Sequence, residues 1–283
     1  MTNALIADRD RFAEQHPEQR IMLRGREWGY LDVGRGPTLM LIPGTLGRCD
    51  IFWQQITALS GRLRIIATSY PAGGGVADWA GDIVALMDHL DVAEATVLGS
   101  SLGGYLAQYI AGSASARVTR LVAANTLHSV RGLDQRPPYS LDLDTGPIAD
   151  LRAGFGTGLE GWRAAHPDQS ELVDLLLKEV GGRIPEAELR TRLSALKHAP
   201  DLPELDMAND RIITIEADDD PLIPAVMRAA VRERLKPDVA YRFLTGGHFP
   251  YIARPKAYTA LLENVMEIDV TGPDWGAAPE RVL

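Results

Sequence analysis

The chain has 283 residues and a mass of 30.8 kDa, enough for one large domain or one domain carrying an insertion. Its 46% hydrophobic and 24% charged residues fit a globular protein and exclude a disordered or fibrous one. A formal net charge of −9, from 29 Lys and Arg against 38 Asp and Glu, disfavours nucleic acid and anionic membranes as partners, since polyanion binding needs clustered cations. The single cysteine, Cys49, has no internal disulfide partner and cannot by itself build a cysteine-based zinc site. The stretch from residue 1 to 20 is polar and charged throughout and reads as a tail, not a secretory signal. No apolar run approaches the ~20 residues that span a bilayer, and the terminal Pro-Glu-Arg-Val-Leu carries no lipidation signal. The expectation is a soluble, cytoplasmic protein.

In chain order, residues 21–34 predict two short strands joined near Gly25 and Arg26. Thr-Leu-Met-Leu-Ile, ended by Pro43-Gly44, is a continuous apolar run and predicts a strand buried on both faces. Residues 62–71 and 95–100 repeat that pattern. Between them Trp79, Ile83, Leu86, Met87 and Leu90 share one helical face, preceded by the Gly73-Gly74-Gly75 run, which reads as a mobile loop at the edge of a site. A helix then predicts from Leu102, and a strand over 118–125. Strands over 211–217 and 239–246 alternate with helical segments at 223–235 and 255–268. Buried strands alternating with amphipathic helices imply a mostly parallel sheet with helices on both faces. Residues 127–205 break that rhythm. A loop rich in Pro, Gly and Asp opens them, helical patterns follow at 170–180 and 185–199, and no strand is evident. They read as a helical insertion between two core strands.

Gly99-Ser100-Ser101-Leu102-Gly103 fits G-x-S-x-G centred on Ser101, and not on Ser100. A buried strand precedes it and an apolar helix follows. A serine on that sharp turn projects its hydroxyl from the carboxyl edge of the sheet, and the helix start aims N–H groups at the same spot. A corner packed with small residues would give the same letters. A serine hydroxyl needs a base, itself oriented by an acid. His248, on the Gly-rich loop after the last predicted strand, can supply the base. Of the other histidines, His128 alone stands where the insertion leaves the core. Asp218, Asp219 and Asp220 follow the strand over 211–217, and their order with Ser101 and His248 is the Ser, Asp, His order of α/β-hydrolases. No P-loop, dinucleotide fingerprint or H-E-x-x-H pattern occurs, so no metal or cofactor is expected.

The segments at 41–59, 95–108, 188–196 and 245–255 resemble the α/β-hydrolase superfamily, and within it the maspardin-like proteins, over about residues 27–265. The resemblance implies an α/β-hydrolase fold. Its core would be 20–126 and 206–268, with a helical cap at 127–205 and a C-terminal tail at 269–283. It implies the acid at Asp220, four before Pro224, with Asp219 second; Ala217 stands where relatives carry glycine. It also implies an oxyanion hole from the N–H groups of Leu102 and Thr45, with Pro43 where relatives commonly have histidine.

The resulting expectation is a serine hydrolase that cleaves a small-molecule carboxylic ester or related acyl bond through an acyl-enzyme. C–C bond hydrolysis, lactonase and acyltransferase activity use the same triad. A non-catalytic binding or adaptor protein on this scaffold is the alternative from another class. The cap would be a lid over the site. Trp53, Tyr139, Trp162, Leu172 and Leu176 are candidate substrate contacts, with plain core packing as the competing reading. Residues 269–283 read as a flexible tail, with a strap in a homodimer as the alternative.

Overall fold

In the computed structural model the described residues are 3–273, 275 and 278–283. The predicted strand runs assemble into one nine-stranded sheet in the order β1-β2-β4-β3-β5-β6-β7-β8-β9. β1 (Gln19–Leu23) and β2 (Arg26–Gly34) form the expected hairpin, turned through positive φ at Arg24 and Gly25. From β4 onward the strands are parallel: β3 (Thr38–Ile42), β4 (Arg64–Ser69), β5 (Ala95–Ser100), β6 (Val118–Ala124), β7 (Ile212–Ala217), β8 (Val239–Phe243) and β9 (Glu280–Val282).

The helices are α1 (Ala4–Gln15), α2 (Trp53–Leu59), α3 (Val76–His89), α4 (Leu102–Ser113), α5 (Ile148–Ala165), α6 (Ser170–Lys178), α7 (Glu186–Lys197), α8 (Ala225–Leu235), α9 (Pro250–Ala253) and α10 (Pro255–Val265). Successive strand residues point to opposite faces, so β3 sends Leu39 and Leu41 into one core with α2 and α10. Its Met40 and Ile42 enter the other core with α3, α4 and α8. Both faces are covered, which is why these strands carry no polar alternation.

Three segments depart from the sequence expectation. The polar N-terminus is a helix, not a tail. Phe12 of α1 is buried, with Leu5 and Ile6 against the same core, and the wholly buried Arg9 forms an ion pair with the equally buried Glu179. Alternation of charges along α1 concealed so narrow an apolar stripe. In the insertion, α5 was unforeseen because glycines at 154, 156, 158 and 161 lower helix propensity. The C-terminal segment, read as a free tail, ends as strand β9. Ala240 N donates to Pro279 O at 2.8 Å and Leu283 N to Arg242 O at 2.9 Å, which covers the otherwise bare edge of β8. Residues 274, 276 and 277 of that segment lie outside the described residues. The Gly73–Gly75 run leads into α3, with Gly73 O accepting Trp79 Nε1 at 2.9 Å, and does not line the cavity described below.

The insertion is bound to the core by charge as well as apolar contact. Arg183 donates to Asp50 at 3.0 Å and to Glu179 at 3.0 and 3.2 Å, while Glu179 also receives Arg9. Removing one member of a buried pair strands the other charge and costs about 3–5 kcal/mol. Glu179→Ala is therefore expected to lose that much in urea unfolding, and the double variant Arg9→Met/Glu179→Leu to lose less than the single. A double variant that loses the sum of both singles would disprove the coupling.

Candidate active site

Four loops at the carboxyl ends of β3, β5, β7 and β8 build the site. At the end of β5, Ser101 has φ 55° and ψ −118°, a region L-residues rarely occupy. The strain is held from both sides of the turn. Ser101 N donates to Ala124 O of β6 at 2.9 Å, and Ser101 O accepts Tyr105 N at 3.0 Å and Thr126 Oγ1 at 2.7 Å. The flanking glycines are required by contact. A Cβ on Gly99 would stand 1.9 Å from Gly103 O, and one on Gly103 would stand 2.2 Å from Ile42 O. Gly44, after β3, is likewise close, since a Cβ there would lie 3.1 Å from Ser101 Cβ. Strand, turn, helix and the post-β3 loop meet at van der Waals distance because side chains are missing at these positions.

After β7 the three aspartates separate into distinct roles. Asp218 is exposed, within 3.6 Å of Arg228 and 3.7 Å of Arg242. Asp219 accepts Gly246 N at 3.0 Å and Gly247 N at 2.8 Å, so it clasps the loop that carries the histidine. Asp220 is buried and accepts His248 Nδ1 at 2.9 and 3.0 Å on its two oxygens. The acid on the ring is thus Asp220, and Asp219, the second choice from sequence, acts on the backbone instead. Asp220 also accepts Leu222 N at 2.8 Å, Ile223 N at 3.0 Å and Asn125 Nδ2 at 2.9 Å. Burial opposes ionisation of this carboxyl, but His248, Asn125 and the Leu222 N–H outweigh it and hold the group below the ordinary aspartate value. Asn125 escaped the sequence reading. It sits at the end of β6 with φ 43°, and only the fold brings it to Asp220, 95 residues away.

Ser101 and His248 line one cavity of about 480 Å³ together with Gly44 and Thr45. Among the described residues no direct hydrogen bond joins Ser101 Oγ to the imidazole, whose bonds run from Nδ1 to Asp220. Leu102, the first residue of α4, lies wholly buried behind Ser101. The insertion roofs the cavity. Tyr139, Trp162, Leu172 and Leu176 all line it, as do Phe155 and Leu159 of the unforeseen α5. Trp162 donates to Gln169 Oε1 at 3.0 Å, stacks on His166 with ring centroids 3.7 Å apart, and abuts Gly247, where a Cβ would lie 2.7 Å from its ring. Burial pushes the Tyr139 phenol up to about 12 against a smaller opposing pull from Thr45, so it is neutral at ordinary pH. Trp53 is a correction: the first residue of α2, it is buried in the core where α2 packs on α10, and it does not line the cavity. His128 also stays outside. Leu222, Ile223 and Met227, just past Asp220, complete the wall and were not anticipated.

A strained serine and an imidazole held by a buried carboxylate thus share one apolar-roofed cavity at the edge of a doubly covered sheet. The chain belongs to the alpha/beta hydrolase family, whose model matches residues 39–261. It is similar to Maspardin of Danio rerio, 27% identical over 256 residues, covering 86% of this chain and 80% of that one. It is also 28% identical over 254 residues to a protein named putative carbamate hydrolase RutD of Variovorax paradoxus, covering 82% of this chain and 93% of the other. A hydrolase from Pseudomonas aeruginosa of known structure shares the fold, with a TM-score of 0.72, 21% identity, and coverage of 88% of this chain and 98% of its own. No helix among the described residues is long and apolar enough to cross a membrane.

The depressed Asp220 value has a definite sign. Its ionised form stabilises the fold fully above about pH 4, the unfolded value, and that contribution is lost as pH falls through the lower folded value. The stability gap between the parent and Asp220→Asn, followed by urea unfolding, is expected to be widest near neutrality and to close in acid. A gap independent of pH would rule out this assignment.

Proposed function

We propose that the protein is a serine hydrolase that cleaves small-molecule carboxylic esters or related acyl bonds. The observation that carries this reading is the Asp220–His248 pair opening onto the same cavity as the strained Ser101. Membership of the alpha/beta hydrolase family and the hydrolase named among its relatives support it.

In this reading Ser101 Oγ attacks the acyl carbonyl carbon while His248 Nε2 takes its proton. Asp220, bonded to Nδ1, fixes the tautomer and stabilises the imidazolium. The N–H groups of Thr45 and Leu102 receive the negative charge that develops on the carbonyl oxygen, a contribution of about 3–4 kcal/mol per donor in comparable sites. Collapse of the tetrahedral intermediate expels the alcohol, which leaves with the proton from His248. Water, deprotonated by the same imidazole, then attacks the acyl-enzyme and releases the acid and Ser101. Tyr139, Trp162, Leu172 and Leu176 surround the apolar part of the substrate. That wall, apolar but for a few groups, favours uncharged acyl and alkyl groups over sugars or phosphates. A serine at the elbow leaves no carboxylate nucleophile there for the chemistry of epoxide hydrolases.

A fluorophosphonate probe is expected to label the parent, and Ser101→Ala and His248→Ala to lose labelling. On short-chain p-nitrophenyl esters kcat should fall by about 10⁴-fold or more in both variants. A folded parent that neither labels nor turns over would overturn the catalytic reading and favour a binding protein on the hydrolase scaffold.

A further inference from the structure

Arg192 of the insertion helix α7 is wholly buried, and its guanidinium grips the loop after β3. Its Nη1 donates to Thr45 O at 3.0 Å and to Gly47 O at 2.8 Å, and its Nη2 donates to Glu188 Oε2 at 2.9 Å. The group stands 5.2 Å from the ring centroid of Tyr70, whose hydroxyl donates to Pro43 O at 2.8 Å. Within the same loop Gly47 N donates to Gly44 O at 3.0 Å and closes a tight turn over 44–47. The carbonyls of residues 43, 44, 45 and 47 thus all have fixed donors. In a planar trans peptide the N–H points opposite to the carbonyl of the preceding residue. Direction of the Thr45 N–H is therefore set by Gly44 O, which the turn holds, and the turn is held by Arg192.

We propose that Arg192 is a positioning residue that aims the Thr45 N–H at the developing oxyanion, so that docking of the insertion and assembly of the oxyanion hole are one event. This rests on the hydrolase reading above. A guanidinium suits the task because its rigid fork can serve two carbonyls and a carboxylate at once, whereas an ammonium is a compact point charge. Without it, two buried carbonyls would lose their donor and the turn would relax to find others. Burial lowers the guanidinium value to about 10 against the pull of Glu188, so the group stays charged at neutral pH.

The test compares Arg192→Lys and the double variant Arg192→Met/Glu188→Gln with the parent on p-nitrophenyl butyrate. The double variant removes the ion pair as a unit and avoids a stranded carboxylate, which keeps a folded protein available if one variant is unstable. Loss of one oxyanion donor costs about 10²–10³ in kcat, and misdirection of one is expected to cost about 10–100-fold with KM changed less than about threefold. Inhibition by an alkyl trifluoromethyl ketone, whose adduct places an oxyanion in the hole, should weaken by the same factor. Folded variants with parental kcat and parental ketone affinity would overturn the role of Arg192. A lowered melting temperature with unchanged ketone affinity would overturn it too, since that marks structural support alone. A parent inert to both ester and ketone would instead overturn the hydrolase reading, and the positioning role with it.

Discussion

The carboxylate of Asp220 is buried, held in its charged form and aimed at one imidazole, and much of the local architecture maintains that arrangement. Desolvation alone would drive the group to neutrality. Three donors besides the ring oppose it: the Leu222 and Ile223 N–H groups and the Asn125 amide. They come from the turn after β7 and from the end of β6, so adjacent parallel strands must be in register for the charge to be tolerated. Asp219 completes the arrangement from the other side, since its two bonds to Gly246 and Gly247 set the height of the histidine loop. Two neighbouring aspartates therefore divide the work, one orienting a side chain and one a backbone.

The second constraint is that the site is composite. Its floor belongs to the sheet and its roof to the helices between β6 and β7, and neither is a binding surface alone. Apolar contact would hold such a roof loosely in many orientations. Here the orientation is specified by charged groups that reach the rest of the chain: Glu179 to Arg9, Arg183 to Asp50, Glu188 to Arg48, and Arg192 to the carbonyls of Thr45 and Gly47. Directional hydrogen bonds to such groups are satisfied in one geometry only, which gives the insertion a single seat over Ser101. The N-terminal helix α1, which touches no part of the cavity, shares in this through Arg9.

Much of this molecule was legible in one dimension. Apolar runs ended by Pro-Gly or Gly-Ser located the parallel strands, because a strand covered on both faces has no polar side to show. The elbow around Ser101 was legible for a similar reason: its close approaches demand missing side chains at residues 99 and 103, and glycine is the residue that supplies them. The loop carrying His248 announced itself by the same means. Harder to read were elements whose stability comes from distant partners. Helix α5 carries glycines that argue against it, and it forms because Leu151, Phe155 and Leu159 have a core to pack on. Strand β9 exists because β8 offers an edge. Trp53 was misplaced since its large apolar ring suits a pocket and a core equally well.

The sequence by itself determined the fold class, the order of strands β1 to β8, and the candidate serine, histidine and short acidic run. These are local consequences of periodicity, of glycine at crowded turns and of chain order. Only the tertiary structure decided which aspartate meets the ring, that Asn125 steadies it, which insertion residues reach the cavity, and that Arg192 grips the loop beside Ser101. Each of those depends on a hydrogen bond or contact between groups from about 30 to 150 residues apart, and such meetings are set by the packing of whole layers, which no short stretch of sequence encodes.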